Sequence, residues 1–171
     1  GSGVSSVSDK SGSNNFVTQS TRANQPAYST INRHLTFNGT TTTLPLNTPE
    51  FVTNRNFTFF FVERRAANKS FNYLIGGTGS STNGNLHVGY QSNNPFVGFY
   101  SNDFSGSSVG ATLGITRIFK FNLTPTGRTI FLNGTLNATN ATADRLLGNA
   151  GLAIGGGPLG IYQGDILEVL C

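Results

Sequence analysis

Short segments rich in Val, Ile, Phe and Thr recur roughly every 10–15 residues through most of the chain. Clusters of Gly, Asn, Ser and Pro separate them and supply the backbone conformations that turns require. This alternation predicts an all-β protein of the sandwich type, with two antiparallel sheets. The predicted strands are residues 34–37, 42–46, 57–62, 71–75, 86–91, 96–101, 115–121, 129–132, 152–154 and 165–170.

Local signals refine this prediction. Asn133-Gly134 follows the strand at 129–132, and Asn-Gly between two apolar segments indicates a two-residue β-hairpin. The one helix candidate is residues 142–148, at most two turns long and ended by a glycine. We therefore expect little helix.

Two predicted strands have informative patterns. Residues 57–63 are apolar on both parities for most of their length, which predicts a central strand covered on both faces. In residues 115–121, Arg117 and Ile118 interrupt the alternation of apolar and polar side chains. That interruption predicts either a half-exposed strand or a β-bulge.

Composition excludes several classes of protein. Hydrophobic residues make up 36% and charged residues 11%, with 22 Gly and 14 Phe among 171 residues. The scarcity of helix-forming residues excludes a helical bundle, and the aromatic content excludes a disordered polar chain. The formal net charge of +4 reflects few acids, and only Arg64, Arg65 and Lys69 cluster among 11 cations, so we expect no nucleic-acid partner.

The ends of the chain suggest a piece of a longer polypeptide. There is no Met, and the single cysteine, Cys171, directly follows the apolar segment 166–170. A single cysteine excludes an internal disulfide. We expect one domain over residues 1–171, with polar residues 1–30 as a lead-in that wraps the domain or straps across a neighbour. Since no apolar stretch approaches the ~20 residues of a membrane span, we expect no membrane insertion.

Four elements in order resemble a known family. The lead-in contains Val7-Ser-Asp9-Lys and, later, Asn24-Gln25-Pro26; Leu35-Thr-Phe37-Asn38-Gly39 precedes the first core strand; Ile130-Phe-Leu132-Asn133-Gly134 and Tyr162-Gln-Gly164-Asp165-Ile166-Leu-Glu168-Val169 follow. Together they are similar to laminin-G-like, concanavalin A-like lectin-glucanase jelly-roll domains. The composition is similar to that of modules in structural proteins of large DNA viruses and phages, and in bacterial surface proteins. The resemblance implies two packed antiparallel sheets with a convex and a concave surface.

Because the family includes glucanases, the resemblance raises the question whether this chain has the residues of a glycoside hydrolase. Retaining glycoside hydrolysis needs two carboxyl groups about 5–5.5 Å apart. The chain has seven acids, and the one close pair, Asp165 and Glu168, is three residues apart, which places the two on opposite faces of a regular strand. His34 and His87 stand in no nucleophile motif. We therefore predict no catalytic residues and no enzymatic activity.

Metal and cofactor binding are not expected either. One cysteine and two separated histidines cannot form a zinc site. Asp9 and Asp103 are weak calcium candidates, because each loop offers one carboxylate and a tight site usually needs several. The alternative is that each Asp caps its own turn.

A sugar site is the remaining possibility for ligand binding. Residues 90–103 combine aromatic side chains with amides and hydroxyls, although the chain has no Trp. The candidate carbohydrate-binding residues are Tyr90, Asn93, Asn94, Tyr100, Asn102 and Asp103. The alternative is that this stretch is simply hairpin structure.

Two functions remain open. The first is a non-enzymatic structural or decoration module of a virion or extracellular assembly, with other protein subunits as partners. The second is a lectin-like module that attaches to host cell-surface glycans. Both predict a location on a virion surface or outside the cell.

Overall fold

The computed structural model describes residues 2–10, 15–142, 144–157 and 159–171. The strands in chain order are β1 (Ser6–Ser8), β2 (Phe16–Thr18), β3 (Ala27–Ser29), β4 (His34–Asn38), β5 (Leu44–Pro45), β6 (Phe57–Arg65), β7 (Asn72–Gly76), β8 (His87–Gln91), β9 (Asn94–Gly98), β10 (Phe104–Ser105), β11 (Thr116–Thr124), β12 (Gly127–Leu132), β13 (Thr135–Asn140), β14 (Ala153–Ile154), β15 (Gly156–Gly157), β16 (Gly160–Ile161) and β17 (Gln163–Leu170). Each of the ten predicted segments contains a strand, which confirms the all-β prediction.

The helix candidate at 142–148 was wrong. Residue 143 lies outside the described residues, and the described remainder of this segment is irregular. Its backbone bonds other segments instead: Leu146 O accepts from Asn54 N at 2.8 Å, and Leu147 N donates to Asn83 O at 2.7 Å. The described residues contain two short 3-10 turns, Arg22–Asn24 and Pro49–Val52. In the same described ranges no helix has the length and apolar character needed to cross a membrane.

Two sheets pack face to face. The seven-stranded sheet has the order β13-β12-β11-β6-β17-β4-β3. The second sheet has the order β10-β9-β8-β7-β14-β5, with β16 pairing beside β7 and β15 pairing with β16. All pairs are antiparallel except β16 with β7. The core between the sheets contains Phe59, Phe61, Phe119 and Phe121 from the first sheet and Val88, Val97 and Phe99 from the second.

The structure corrects the prediction for β6 and confirms that for β11, for which half exposure was one of the two alternatives. β6 lies inside its sheet as predicted, but its residues alternate between buried and half-buried, so its outer face is not covered by another layer. On β11 the inward side chains include Arg117, while Ile118 is 46% exposed. The strand is therefore half exposed, and it pairs with β6 without a bulge.

The predicted hairpin is confirmed. β12 and β13 pair directly across Asn133 and Gly134. Both turn residues have positive φ, 50° and 81°, which is the type I′ geometry that matches the twist of paired strands. Gly134 adopts this conformation without steric cost because it lacks a Cβ.

The two ends of the chain are integrated into the fold. In the lead-in, β1 and β2 form a hairpin with Val17 buried, and β3 forms one edge of the seven-stranded sheet. β17 pairs with β6 on one side and, through Ile166, with β4 on the other. β17 thus lies inside the sheet from Gln163 to Ile166, and Glu168, Val169 and Leu170 continue its pairing with β6.

A polar cluster is buried within the core. Glu63 is fully buried and accepts hydrogen bonds from the hydroxyls of Tyr90, at 2.7 Å, and Tyr162, at 2.5 Å. The guanidinium of Arg65 stacks on the Tyr90 ring at 4.1 Å. Burial raises the pKa of Glu63, and the two hydroxyls and the charges of Arg117 and Arg65 oppose that rise.

Candidate functional site

An aromatic cluster covers the outer face of β7, β8 and β9. Strand pairing places Tyr73 opposite Gly89 and Gly89 opposite Phe96, so the two aromatic side chains flank a glycine. Their rings stack at a centroid distance of 5.7 Å and an interplanar angle of 23°. A Cβ on Gly89 would lie 2.8 Å from the Cα of Tyr73, so a residue without a side chain is required between the two rings.

His87 extends this cluster along β8. Its strand partners are Gly76 and Gly98, which again carry no side chain. The imidazole centroid lies 4.9 Å from that of Tyr73, and Phe71 lies 5.5 Å away on the other side of Tyr73. The rings thus form a continuous floor on the face of the sheet that points away from the core.

A pocket of about 360 Å³ lies over this floor. That volume falls in the roughly 300–1,000 Å³ typical of small-molecule sites. Its lining residues are Phe71, Tyr73, His87, Gln91, Phe96, Tyr100, Ser101, Asp103 and Leu159.

The rim of the pocket has unusual backbone geometry. Tyr100 and Ser101 have φ of 59° and 63°, a left-handed conformation that few non-glycine residues adopt. This turn follows β9 and leads to Asp103. The Oδ1 atom of Asp103 lies close to Gly98, so a Cβ added to Gly98 would be 2.7 Å from it. Such strain is often found at binding sites, and here it places Tyr100 and Asp103 at the same pocket.

The pocket contains one carboxylate, that of Asp103, and a neutral imidazole, that of His87. Burial lowers the pKa of His87, while a hydrogen bond to the Gly77 backbone and the charge of Asp103 act in the opposite direction. Burial, helped by the charge of Asp103, raises the pKa of the Tyr73 hydroxyl. At neutral pH the floor is therefore uncharged and the negative charge is at the rim.

The predicted sugar site separates into three places. Tyr100 and Asp103 line the pocket. Asn93 and Asn94 lie in the β8–β9 hairpin, at the far end of β9 from Tyr100. Tyr90 points into the core and is fully buried, so its assignment to a sugar site was wrong.

Asn102 has a structural environment. Its backbone carbonyl and its Oδ1 accept from the guanidinium of Arg128 at 2.7 and 3.0 Å, and its Nδ2 donates to Asn83 and Asp144. Arg128 is fully buried and lies over the rings of Phe99 and Phe104. Asn102 therefore fixes the rim turn from behind.

Sequence reasoning missed the floor residues. Tyr73 and His87 lie outside residues 90–103, the stretch that the sequence indicated as a platform, and Phe96 lies inside it but was not among the six candidate residues. A signal was available: β8 contains His87-Val-Gly89 and β9 contains Phe96-Val-Gly98. In antiparallel strands this repeated ring-Val-Gly pattern brings the rings to one face and glycines between them.

The described residues were also compared with the requirements of a metal site. No group of three His, Cys, Asp or Glu side chains there could hold a metal ion. The calcium candidate Asp103 lies at the pocket rim; residues 11–14, which belong to the loop of the other candidate, Asp9, lie outside the described residues.

The pair Asp165 and Glu168 requires a correction. A register shift between Ile166 and Glu168 changes the parity of β17, so both carboxylates lie on the outer face, opposite Arg64 and Val62. Asp165 is held there by Arg64, whose Nε and Nη2 donate to its Oδ2 at 2.9 and 2.6 Å.

A larger groove lies elsewhere, between the amino-terminal hairpin and β17. Its volume is about 860 Å³. Many lining side chains are aliphatic, among them Val7, Val17, Leu35, Leu44, Leu46 and Leu167. Two of its polar side chains are engaged within the chain: Asn47 Oδ1 accepts from Phe16 N at 2.7 Å, and Thr48 Oγ1 donates to Asn15 Oδ1 at 2.5 Å. This groove suits an apolar occupant better than a polyhydroxylated one.

Comparison with known proteins agrees with this architecture. The sequence matches no protein-family model and no curated protein sequence. The fold is similar to domain 4 of AbnA, a GH43 extracellular arabinanase from Geobacillus stearothermophilus, solved in complex with arabinotriose; the TM-score is 0.68 and the identity 14%, over 98% of this chain and 90% of that one.

A second similar structure is the CBM40 of the Ruminococcus gnavus IT-sialidase bound to α2,6 sialyllactose. Here the TM-score is 0.59 and the identity 12%, over 80% of this chain and 87% of that one. At such identities the likeness concerns the fold alone. The chain therefore has the lectin-like β-sandwich fold of these domains.

Proposed function

We propose that this protein is a carbohydrate-binding module whose ligand occupies the pocket over β7, β8 and β9. The observation that supports this most is the aromatic floor of Tyr73, His87 and Phe96 beneath a polar rim. A sugar ring presents apolar C–H groups and hydroxyls together, and a pocket with aromatic surfaces and a few placed polar groups complements both.

Each part of the pocket has a distinct role in this proposal. Phe71 and Tyr100 are half-buried walls whose rings can contact the C–H face of a sugar. Gln91 and Asp103 are exposed and offer an amide and a carboxylate to hydroxyls. The strained turn at Tyr100 and Ser101 holds the rim before the ligand arrives, which reduces the entropy lost on binding.

The similar folds add support of a general kind. Those two structures contain arabinotriose and sialyllactose, so sandwiches of this shape are used to bind oligosaccharides. The GH43 enzyme is described as extracellular, and we propose an extracellular location for this protein also. We further propose that binding occurs without hydrolysis.

A structural role in a virion or other assembly was the first of the two functions predicted from the sequence, and that role stays a prediction. One of its supports was a polar lead-in that straps across a neighbour. In this chain β1, β2 and β3 of the lead-in pair within the domain, which weakens that support. The pocket accordingly favours the carbohydrate-binding alternative.

A glycan array followed by calorimetry on a bound glycan tests the proposal. We expect Tyr100→Ala to weaken binding at least tenfold, about 1.4 kcal/mol, while Tyr100→Phe retains most of it. Tyr28→Ala is the matched control, because Tyr28 is 38% exposed on β3 in the other sheet. An array without any bound glycan, or equal loss in Tyr28→Ala, would contradict the proposal.

A further inference from the structure

We propose that the pocket selects uncharged sugars and rejects those that carry a carboxylate, with Asp103 as the residue that enforces this choice. This inference rests on the proposed function and names the ligand class of the same site. It follows from which charged groups reach the pocket and from the state of the imidazole at its floor.

Among the described residues that line the pocket, Asp103 is the only acidic side chain, and it is exposed at the rim. Lysine and arginine are absent from the described lining. A carboxylate on a bound sugar would thus meet a like charge and would lose its hydration without gaining a cationic partner.

The nearby cations are committed to other contacts. Arg128, which interacts electrostatically with Asp103, is fully buried behind the rim and donates to Asn102. The ammonium of Lys69 donates to the backbone carbonyls of Gly39 and Ile161, at 2.5 and 2.7 Å. Neither side chain can turn into the pocket without breaking these bonds.

The floor complements a hydroxyl group. His87 is 3% exposed, and its Nε2 is buried without a hydrogen-bond partner in the described part of the chain. A buried nitrogen in this state is costly unless a ligand completes it. Because the hydrogen bond to the Gly77 backbone keeps the proton on the other ring nitrogen, Nε2 of the neutral imidazole is an acceptor, and a sugar hydroxyl can donate to it.

The test compares matched pairs of glycans that differ by one carboxylate. The probes are oligogalactose against oligogalacturonate and lactose against sialyllactose, measured by calorimetry with the wild-type protein and Asp103→Asn. We expect the neutral member of a bound pair to bind at least tenfold more tightly than the acidic one. Asp103→Asn should narrow this ratio at least threefold, whatever its effect on the neutral sugar.

Glu50→Gln is the control, because it removes one exposed carboxylate and changes the net charge equally. It should leave the ratio unchanged. Equal or tighter binding of the acidic sugars would overturn the inference, while the carbohydrate-binding function would stand. If Asp103→Asn left the ratio of neutral to acidic affinity unchanged, the role of Asp103 would be overturned. Binding of no glycan of either class would overturn the function and the inference together.

Discussion

At the scale of single residues, Glu63 is a carboxyl group buried in the core. It is fully buried between the sheets and accepts from two tyrosine hydroxyls. Because burial raises its pKa above the usual 4.5, the folded protein holds this proton at pH values where the unfolded chain has released it. Its contribution to stability is therefore present below about pH 4.5 and declines as the pH rises through the raised pKa.

We expect Glu63→Gln to remove this pH dependence, because an amide keeps an acceptor and a donor for the two hydroxyls without ionising. Urea unfolding of both proteins over a pH series measures it. The stability of the variant relative to wild type should increase as the pH rises from about 4.5. A relative stability that is flat or falls over this range would show that Glu63 is not buried as described. Glu50→Gln, at an exposed site, should show no such trend.

At the scale of elements, one carboxylate joins three strands of the seven-stranded sheet. Asp165 on β17 accepts from Arg64 on β6 and from Thr36 Oγ1 on β4 at 2.7 Å, and His34 Nε2 lies 3.4 Å away. Its side chain is only 15% exposed, so solvent screens these contacts less than it screens a surface pair.

Asp165→Asn should destabilise the protein by about 1.5 kcal/mol, because charge-assisted hydrogen bonds are replaced by neutral ones. Chemical unfolding at neutral pH provides the measurement. The control is Asp103→Asn, an exposed site where we expect a change below about 0.5 kcal/mol. Equal effects of the two substitutions would contradict the role given to Asp165.

At this scale, features set by neighbouring residues could be predicted from the sequence, whereas features that depend on the pairing of strands could not. The Asn133-Gly134 hairpin and the ten core segments follow from turn chemistry and apolar spacing, and the structure confirms them. The face of Glu168 could not be predicted, because a register shift in β17 reverses the parity after Ile166. Arg117 points inward, where its Nη2 donates to Thr112 O at 3.2 Å and its charge acts on Glu63, and an apolar pattern does not reveal such a buried cation.

The candidate site shows the same division. Tyr100 and Asp103 were identified from their residue types near a turn. Tyr73 comes to the site from a strand that is separated from them in sequence and joins them only through the order β9-β8-β7. Tyr90 was misplaced because residues of one strand alternate between faces, and its parity is that of the core.

At the scale of the whole molecule, the two sheets have different outer surfaces. The sheet that contains β7, β8 and β9 presents the aromatic pocket with one rim carboxylate. The seven-stranded sheet presents Ile118, which is 46% exposed, and Lys120, whose ammonium lies over the rings of Phe60 and Phe131. A ligand that occupies the pocket therefore approaches from the side of β7, β8 and β9 alone.

The most direct test of the central claim is to map a bound glycan on the protein by NMR. Amide chemical-shift changes during titration with a glycan identified on the array should concentrate at Gly89, Gly98, His87, Tyr100 and Asp103, around the pocket. Changes concentrated in the groove between Val7 and Leu167, or on the outer face of β11, would contradict the assignment of this pocket as the carbohydrate site.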